Sequence, residues 1–205
     1  MTSDRSVVIL AGGQGRRMGG VNKALLPLGG ETLLERQLRE ARKWSDEIII
    51  VANEPISMPA SIEAEARVVT DIYPGDGPIA GIHAGLSASS RPYVWVLACD
   101  HPYPNANAAE RLLERMNAAS QAAIPIILDR PQPLHAVYRK EVASEAEAML
   151  AKGQRRLTEL LDKIEWVALN EYIFAERGIR ITFADDIDTP EHYEREKRLL
   201  RMEQQ

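Results

Sequence analysis

Short apolar runs alternate with amphipathic segments along most of the 205-residue chain, and few folds accommodate such an order. Runs of four to seven apolar residues suit buried strands, whereas apolar side chains with helical spacing indicate helices. Strands are predicted at Val7–Leu10, Glu47–Val51, Arg67–Thr70, Tyr93–Cys99, Ala122–Leu128, Leu134–Arg139, Trp166–Leu169 and Arg180–Phe183. A helix is predicted at Leu33–Ala41, where Thr32-Leu-Leu-Glu35 has the spacing of a capping box. Further helices are predicted at Pro78–Ser89, Ala106–Ala119, Glu141–Leu150 and Leu157–Leu161, and from Pro190 onward. The alternation predicts an α/β fold, with a mostly parallel sheet covered by helices on both faces.

The chain has no obvious internal division. No repeat, low-complexity segment or linker rich in Gly, Pro or Ser interrupts it, which predicts one domain over residues 1–205. The strands Ala122–Leu128 and Leu134–Arg139 are joined by a proline-containing turn, which indicates an antiparallel excursion from the sheet. Ligands of such sheets bind at the carboxyl ends of the strands. The residues that follow each strand are therefore the candidates for function.

Composition narrows the class of protein. The net charge of −5 gives no general attraction to nucleic acid or to an anionic membrane. The single cysteine, Cys99, excludes an intramolecular disulfide and fits a reducing compartment. Residues 1–5 lack the apolar core of a signal peptide, and no apolar run is long enough to span a bilayer. These features predict a cytoplasmic protein without nucleic-acid or membrane partners.

A glycine-rich, basic segment, LAGGQGRRMGGVNKALL, follows the first strand. It is not a P-loop, because Ala24 stands after Lys23 where a Ser or Thr would be needed for magnesium. It is not a dinucleotide fingerprint either. A fingerprint starting at Gly13 needs a small residue where Met18 stands, and an acid where Asn53 ends the second strand.

The same segment suits a bound polyphosphate. Gly12 and Gly13 let the backbone approach a ligand, and Arg16, Arg17 and Lys23 supply positive charge. The alternative is an ordinary solvated loop with surface arginines. The length of the loop favours a function, because connections from strand to helix are usually short.

Polar residues follow three other strands. Asp100 comes directly after the most apolar strand, where an unpaired carboxylate is costly. This position favours magnesium ligation over the alternative of a helix N-cap. Asn53 follows the second strand. Asp71 follows the third, and it either contacts the ligand or starts the turn Ile-Tyr-Pro-Gly.

Two further features leave alternatives open. Strand alternation after Phe183 would place Asp186 and Asp188 on one side and Asp185 on the other. Asp188 is then either a second metal ligand or a turn or cap residue. Gly81 lies at the start of a helix, where it allows either contact with a flat ligand such as a base or tight packing of the helix on the sheet.

Several motifs together resemble the molybdenum cofactor guanylyltransferases, which belong to the Rossmann-like nucleotidyltransferases. The motifs are Leu10-Ala-Gly-Gly, Arg17-Met-Gly, Asn22-Lys23, Gly77-Pro-Ile-Ala-Gly-Ile, Cys99-Asp100-His-Pro and Gly153-Gln-Arg-Arg156, and the resemblance runs from Val7 to Glu191. It implies a single-domain three-layer α/β/α sandwich. It also implies transfer of GMP from GTP to the phosphate of molybdopterin, with release of pyrophosphate and a requirement for Mg²⁺.

The resemblance also implies roles for particular residues. Leu10, Ala11, Gly12 and Gly13 would contact the guanine nucleotide, Asn53 and Asp71 the nucleoside, and Arg155 and Arg156 the pterin. Lys23 and Arg17 would neutralise phosphate charge, and Asp100 would hold the metal and the nucleotide. The chain departs from the family at Asp186-Ile187-Asp188, where the family often has Asn-x-Asn, and at His101.

Three alternative functions stay open at this stage. The protein could use CTP on molybdopterin, or GTP on a small phospho-acid. It could also be a non-catalytic nucleotide-binding adaptor that delivers the cofactor. Transient contacts with molybdoenzymes or their chaperones fit either an enzyme or an adaptor. An acceptor phosphate is already ionised at neutral pH, so the reaction needs no His or Cys nucleophile or base.

Overall fold

The computed structural model describes residues 4–12, 22–52, 62, 64–73 and 75–203. Its strands are β1 (Arg5–Leu10), β2 (Pro27–Leu28), β3 (Glu31–Thr32), β4 (Glu47–Ala52), β5 (Arg67–Thr70), β6 (Tyr93–Ala98), β7 (Ala122–Ile127), β8 (Arg130–Pro131), β9 (His135–Arg139) and β10 (Trp166–Asn170). Its α-helices are α1 (Leu33–Ala41), α2 (Pro78–Ala88), α3 (Ala106–Arg115), α4 (Val142–Ala151), α5 (Leu157–Leu161), α6 (Glu171–Ala175) and α7 (Pro190–Glu203). Short 3₁₀ helices form at Lys23–Leu25 and Ile181–Ala184. None of the helices in these ranges combines the length and the apolar character needed to cross a membrane.

Eight of these strands form one mixed sheet in the order β10-β7-β9-β6-β1-β4-β5, with β8 paired to β7, whereas β2 and β3 pair with each other. β1 pairs in parallel with β4 and β6, and β4 does so with β5. β9 lies between β6 and β7 and is antiparallel to both. The predicted antiparallel excursion is therefore confirmed.

The alternation of side chains along β1 divides the core into two layers. Val7 and Ile9 pack on one face of the sheet with residues of α1 and α3, whereas Val8 packs on the other face with residues of α2 and α4. Each face of the central strands is thus covered by helices, and the expected three-layer α/β/α sandwich is confirmed.

Local signals set the start of α1. The Thr32 hydroxyl accepts a hydrogen bond from the Glu35 backbone N–H, and the Glu35 carboxylate accepts one from the Thr32 N–H. This is the predicted capping box, and it satisfies donors that have no partner within a helix. β2 and β3, which the sequence did not predict, form a hairpin directly before it through Gly29 and Gly30, both with positive φ.

Two predicted elements differ from the structure. The strand predicted at Arg180–Phe183 is wrong, because Ile181–Ala184 forms a 3₁₀ helix. Its fully buried Phe183 packs against the rings of Phe174 and His135, so this short segment is held by tertiary contacts that a local apolar pattern does not indicate. The helix predicted to reach Ala119 ends at Arg115, because the Asn117 side chain accepts hydrogen bonds in a turn that follows.

Candidate active site

The carboxyl ends of the central strands lie side by side and form one edge. The Cys99 N–H donates to the Leu10 carbonyl oxygen at 3.1 Å, and the Ala11 N–H donates to the Val51 carbonyl oxygen at 2.8 Å. These two backbone groups extend the sheet and hold the half-buried Gly12 at its edge. The edge continues toward β5 through a 2.9 Å hydrogen bond from the Asp71 N–H to the Ala52 carbonyl oxygen. Of the residues predicted to bind the nucleotide, Leu10, Ala11, Gly12 and Asp71 therefore lie along this edge.

Lys23 projects its ammonium group between two carboxylates. Its Nζ lies 3.0 Å from Asp100 Oδ2 and 2.8 Å from Asp188 Oδ1. The lysine side chain is only 11% exposed. Its backbone is positioned by a 3₁₀ helix whose N-cap, Asn22, accepts a hydrogen bond from the Ala24 N–H. Three residues far apart in sequence thus form one charged cluster, which we call the Lys23 cluster (Lys23, Asp100, Asp188).

A buried glutamine holds the turn that carries Asp100 through two hydrogen bonds. Gln37 Nε2 donates to the Ala98 carbonyl oxygen at 2.6 Å and to the His101 carbonyl oxygen at 3.2 Å. These acceptors flank Asp100 on both sides. Sequence reasoning missed this residue, although a signal existed. Gln37 is fully buried on the apolar face of α1, and a buried amide requires partners.

A second contact holds the segment that carries Asp188. The Ile187 N–H donates to the Asp100 carbonyl oxygen at 2.9 Å. The Ile187 side chain is fully buried in a small cluster with Leu26, Leu28 and Leu33. This apolar anchor, which sequence reasoning also missed, fixes the carboxylates on either side of it. They follow a 3₁₀ helix and not a strand, so their placement does not come from strand alternation.

Charge distribution at the Lys23 cluster is unequal. Burial alone would lower the pKa of Lys23, but its hydrogen bond to Asp188 and the charge of Asp100 outweigh that effect and raise the pKa. Partial desolvation raises the pKa of Asp186, and the neighbouring charges of Asp188 and Asp100 raise it further. Among the described residues, the carboxylates of Asp100, Asp186 and Asp188 therefore share this region with the ammonium group of Lys23.

The remaining acids have other surroundings. Asp71 is buried, and its Oδ1 accepts a hydrogen bond from the Tyr73 N–H at 2.8 Å. This geometry starts a turn, as one of the two interpretations of the sequence expected. Burial raises the pKa of Asp185, as does the charge of Glu196 in α7.

Burial keeps the side chains of Cys99, His101 and His135 neutral. Burial raises the pKa of the Cys99 thiol to about 12, so the thiolate is not formed at neutral pH. Burial also lowers the pKa of His135 to about 3, and nearby His101 is shifted in the same direction, mainly by burial. These three side chains do not supply a reactive thiolate or an imidazolium.

Arg155 and Arg156 lie on the loop before α5. Arg155 Nε donates to Asp76 Oδ1 at 2.6 Å, and this ion pair joins the loop to the entry of α2. Arg156 is exposed at the N-terminus of α5. In the part of the chain that the structure describes, neither arginine forms an ion pair with Asp100 or Asp188.

The structure does not describe four of the residues that the sequence singled out. Gly13, Arg16, Arg17 and Asn53 lie outside the described residues. Gly81, in contrast, is described. A Cβ atom at Gly81 would lie 3.1 Å from Leu10 Cδ2, so this glycine allows α2 to pack closely on β1.

Comparisons with known proteins extend these observations. Residues 7–167 match the MobA-like NTP transferase domain. The chain is 34% identical over 202 residues to a probable molybdenum cofactor guanylyltransferase of Natronomonas pharaonis, with 96% of this chain and 98% of that protein covered. It is 34% identical over 158 residues to a molybdenum cofactor guanylyltransferase of Vibrio atlanticus, with 77% and 80% covered.

A solved structure is similar over the same extent. Molybdopterin-guanine dinucleotide biosynthesis protein A from Archaeoglobus fulgidus superposes with a TM-score of 0.80 at 27% identity, and 96% of this chain and 99% of that chain are covered.

Proposed function

The chain belongs to the MobA-like NTP transferase family, and from this membership we propose that it transfers GMP from GTP to the phosphate of a molybdopterin cofactor. Pyrophosphate is the second product. The names of the relatives supply the nucleotide and the acceptor, and the motifs at Lys23 and Asp100 fit a transfer of this kind. The observation that carries the proposal is the Lys23 cluster at the carboxyl edge of the sheet, where α/β proteins of this type bind ligands.

The reaction exchanges one phosphoanhydride bond for another. An oxygen of the acceptor phosphate forms a bond to the α-phosphorus of GTP, and the bond from that phosphorus to the bridging oxygen of the β-phosphate breaks. The electron pair and negative charge leave with pyrophosphate. Because the acceptor oxygen is already ionised, no side chain has to remove a proton. Lys23 neutralises phosphate charge, and the protein acts mainly by positioning the two phosphates.

The side chains around Lys23 fit a magnesium ion. Mg²⁺ prefers oxygen ligands and is usually held by one or two carboxylates together with substrate phosphates. Asp100 and Asp188 each place a carboxylate oxygen on the same side of the site, within hydrogen-bond distance of Lys23 Nζ. Bound there, Mg²⁺ would neutralise charge on the departing pyrophosphate. No three His, Cys, Asp or Glu side chains among the described residues form a metal site by themselves, so nucleotide oxygens would have to complete this one.

The proposal is tested by replacing Asp100. We expect Asp100→Ala to keep the fold and to lose Mg²⁺-dependent release of pyrophosphate from GTP and molybdopterin. Exposed Asp162, at the end of α5, offers a matched control, and Asp162→Ala should retain activity. Circular dichroism and thermal unfolding report the fold of both variants. Turnover by Asp100→Ala at the wild-type rate would contradict the role of Asp100.

The choice of nucleotide needs a separate test. Thermal unfolding of the wild-type protein with GTP, CTP or ATP, each with Mg²⁺, ranks their binding, because a ligand that binds the folded state raises the melting temperature. We expect GTP to give the largest increase. A larger increase with CTP would favour cytidylyl transfer. Molybdopterin can then be compared with small phospho-acids as the acceptor, with pyrophosphate release as the measurement.

A non-catalytic adaptor is the alternative from another class. Such a protein would bind GTP without releasing pyrophosphate, even with authentic acceptor present. The joint presence of Lys23 and Asp100 favours the enzyme, because simple binding does not need a carboxylate placed for a metal ion. Transient contacts with molybdoenzymes or their chaperones, and a cytoplasmic location, stay predictions that co-purification and fractionation can examine.

A further inference from the structure

Lys23 Nζ lies on the two carboxylates that we assigned to a divalent cation. It donates to Asp100 Oδ2 at 3.0 Å and to Asp188 Oδ1 at 2.8 Å. We propose that Lys23 is an exchangeable counter-ion, so that its ammonium group and the divalent cation occupy the Asp100–Asp188 carboxylate pair in turn. The inference rests on the proposed function, and it adds the order in which the charges assemble.

The short distances indicate that Lys23 Nζ and a divalent cation cannot both occupy the carboxylate pair. Mg²⁺ binds carboxylate oxygens at about 2.0–2.1 Å. An ion on both oxygens would therefore lie in the region that Lys23 Nζ now occupies. Two cations held by the same two carboxylates would also repel each other.

The charge balance supports exchange. The carboxylates of Asp100, Asp186 and Asp188 interact with one another, and Lys23 is their shared cation within the described residues. Removal of the ammonium without replacement leaves closely spaced like charges. A divalent cation relieves that repulsion more fully than a monovalent one. The pair is thus suited to accept a metal ion as soon as Lys23 leaves it.

The Lys23 ammonium group can move away from the carboxylate pair. Its backbone is fixed by the Asn22 cap and the 3₁₀ helix, while its four-carbon side chain can rotate. The triphosphate of a bound nucleotide would compete for the ammonium group, because its charge is higher than that of either carboxylate. Nucleotide binding would therefore draw Lys23 toward phosphate and open the carboxylate pair to the metal. Asp188 acts here as a positioning residue, because it holds the Lys23 ammonium group in place before the nucleotide binds.

The central test measures metal binding without nucleotide, with Mn²⁺ as the probe and the electron paramagnetic resonance signal of free Mn²⁺ as the readout. We expect Lys23→Met to bind Mn²⁺ about tenfold or more tightly than the wild type, because the competing charge is gone. Lys43→Met is the matched control, because Lys43 is exposed at the end of α1 and pairs with Glu40. It should leave the affinity unchanged. Equal or weaker Mn²⁺ binding by Lys23→Met would overturn the proposal.

A second variant tests where the Mn²⁺ ion binds. Asp188→Asn, introduced into Lys23→Met, should lower the Mn²⁺ affinity about tenfold, because one of the two carboxylates is removed. If affinity stays high, the ion binds elsewhere and the proposal fails. Should Lys23→Met not fold, Lys23→Gln keeps a polar side chain beside both carboxylates and carries the same expectation.

Failure of this inference can be told from failure of the proposed function. Tighter Mn²⁺ binding by Lys23→Met supports the exchange even if the wild type transfers no GMP. If the wild type transfers GMP while Lys23→Met gains no Mn²⁺ affinity, the function stands and the exchange is rejected.

Discussion

Lys23 forms short, partly buried contacts with two carboxylates, and its replacement should affect binding and turnover together. We expect Lys23→Ala to raise the KM for GTP and to lower kcat/KM about a hundredfold or more, which is roughly 3 kcal/mol of transition-state stabilisation. Steady-state pyrophosphate release at several GTP concentrations measures both quantities. Exposed Lys43 again provides the control. Unchanged kinetics in Lys23→Ala would remove the lysine from the site.

His135 should make the protein less stable in mild acid. Burial holds its pKa near 3 in the folded state, compared with 6.5 ordinarily. Between those values the unfolded chain binds a proton that the folded chain does not, so stability falls as pH falls, by up to about 1.4 kcal/mol per pH unit. Below the folded pKa, both states are protonated and no further loss arises from this group.

Replacement of His135 with a neutral residue tests this directly. In His135→Gln, the free energy of unfolding should change less between about pH 7 and about pH 5 than in the wild type. Glutamine keeps an acceptor for the Asn105 N–H, which donates to His135 Nε2 at 3.3 Å. Urea unfolding at each pH gives the comparison, and His192→Gln, on the exposed face of α7, is the control. An equal pH dependence in the variant would contradict the assignment.

At the scale of elements, α2 depends on two glycines where it crosses β1. A methyl group at Gly85 would overlap both methyl groups of Val8, whereas one at Gly81 would meet the end of the flexible Leu10 side chain. Gly85→Ala should therefore destabilise the fold by about 1–3 kcal/mol, through overpacking. Gly81→Ala should cost less, and urea unfolding compares the two. A larger loss for Gly81→Ala would show that the packing at Leu10 is the tighter one.

The elements that could be predicted from the sequence are those with local causes. The capping box at Thr32 and Glu35 and the apolar pattern of the central strands are properties of neighbouring residues, and both were confirmed. The segment at Arg180–Phe183 was predicted incorrectly, because its conformation depends on Phe183 packing against distant rings. A short apolar pattern does not distinguish these outcomes.

The candidate site was predictable in part, for the same reason. The sequence indicates polar residues after the strands, and parallel pairing brings Asp71 and Asp100 to one edge. It does not indicate that Lys23 contacts Asp188, because no local pattern links positions so far apart. The role of Gln37 is an intermediate case. Its polarity on an apolar helix face is visible in the sequence, but its partners are not.

At the scale of the whole molecule, three distant parts of the chain meet at the ammonium group of Lys23. Lys23 comes from the first connection, Asp100 from the end of the central strand, and Asp188 from the segment before α7. The last of these is held by the Ile187 side chain, which packs under the hairpin formed by β2 and β3. Stability of this small apolar cluster and geometry of the charged site are therefore linked.

That link predicts that a purely apolar change will impair the site. Ile187→Ala should cost about 2–4 kcal/mol of stability through the cavity it leaves, which corresponds to several degrees of melting temperature. The rate of GTP-dependent turnover should also fall, even at temperatures well below the melting temperature at which the variant is folded. The reason is that the Asp188 carboxylate is no longer held beside Lys23. Leu86→Ala is the control, because Leu86 is equally buried but lies near the end of α2, beside the amino ends of the strands. It should lose similar stability and keep its kinetics. If both variants have wild-type kinetics, the contacts of Asp188 do not depend on the apolar anchor, and the 185–188 segment is positioned by its backbone hydrogen bond to Asp100 alone.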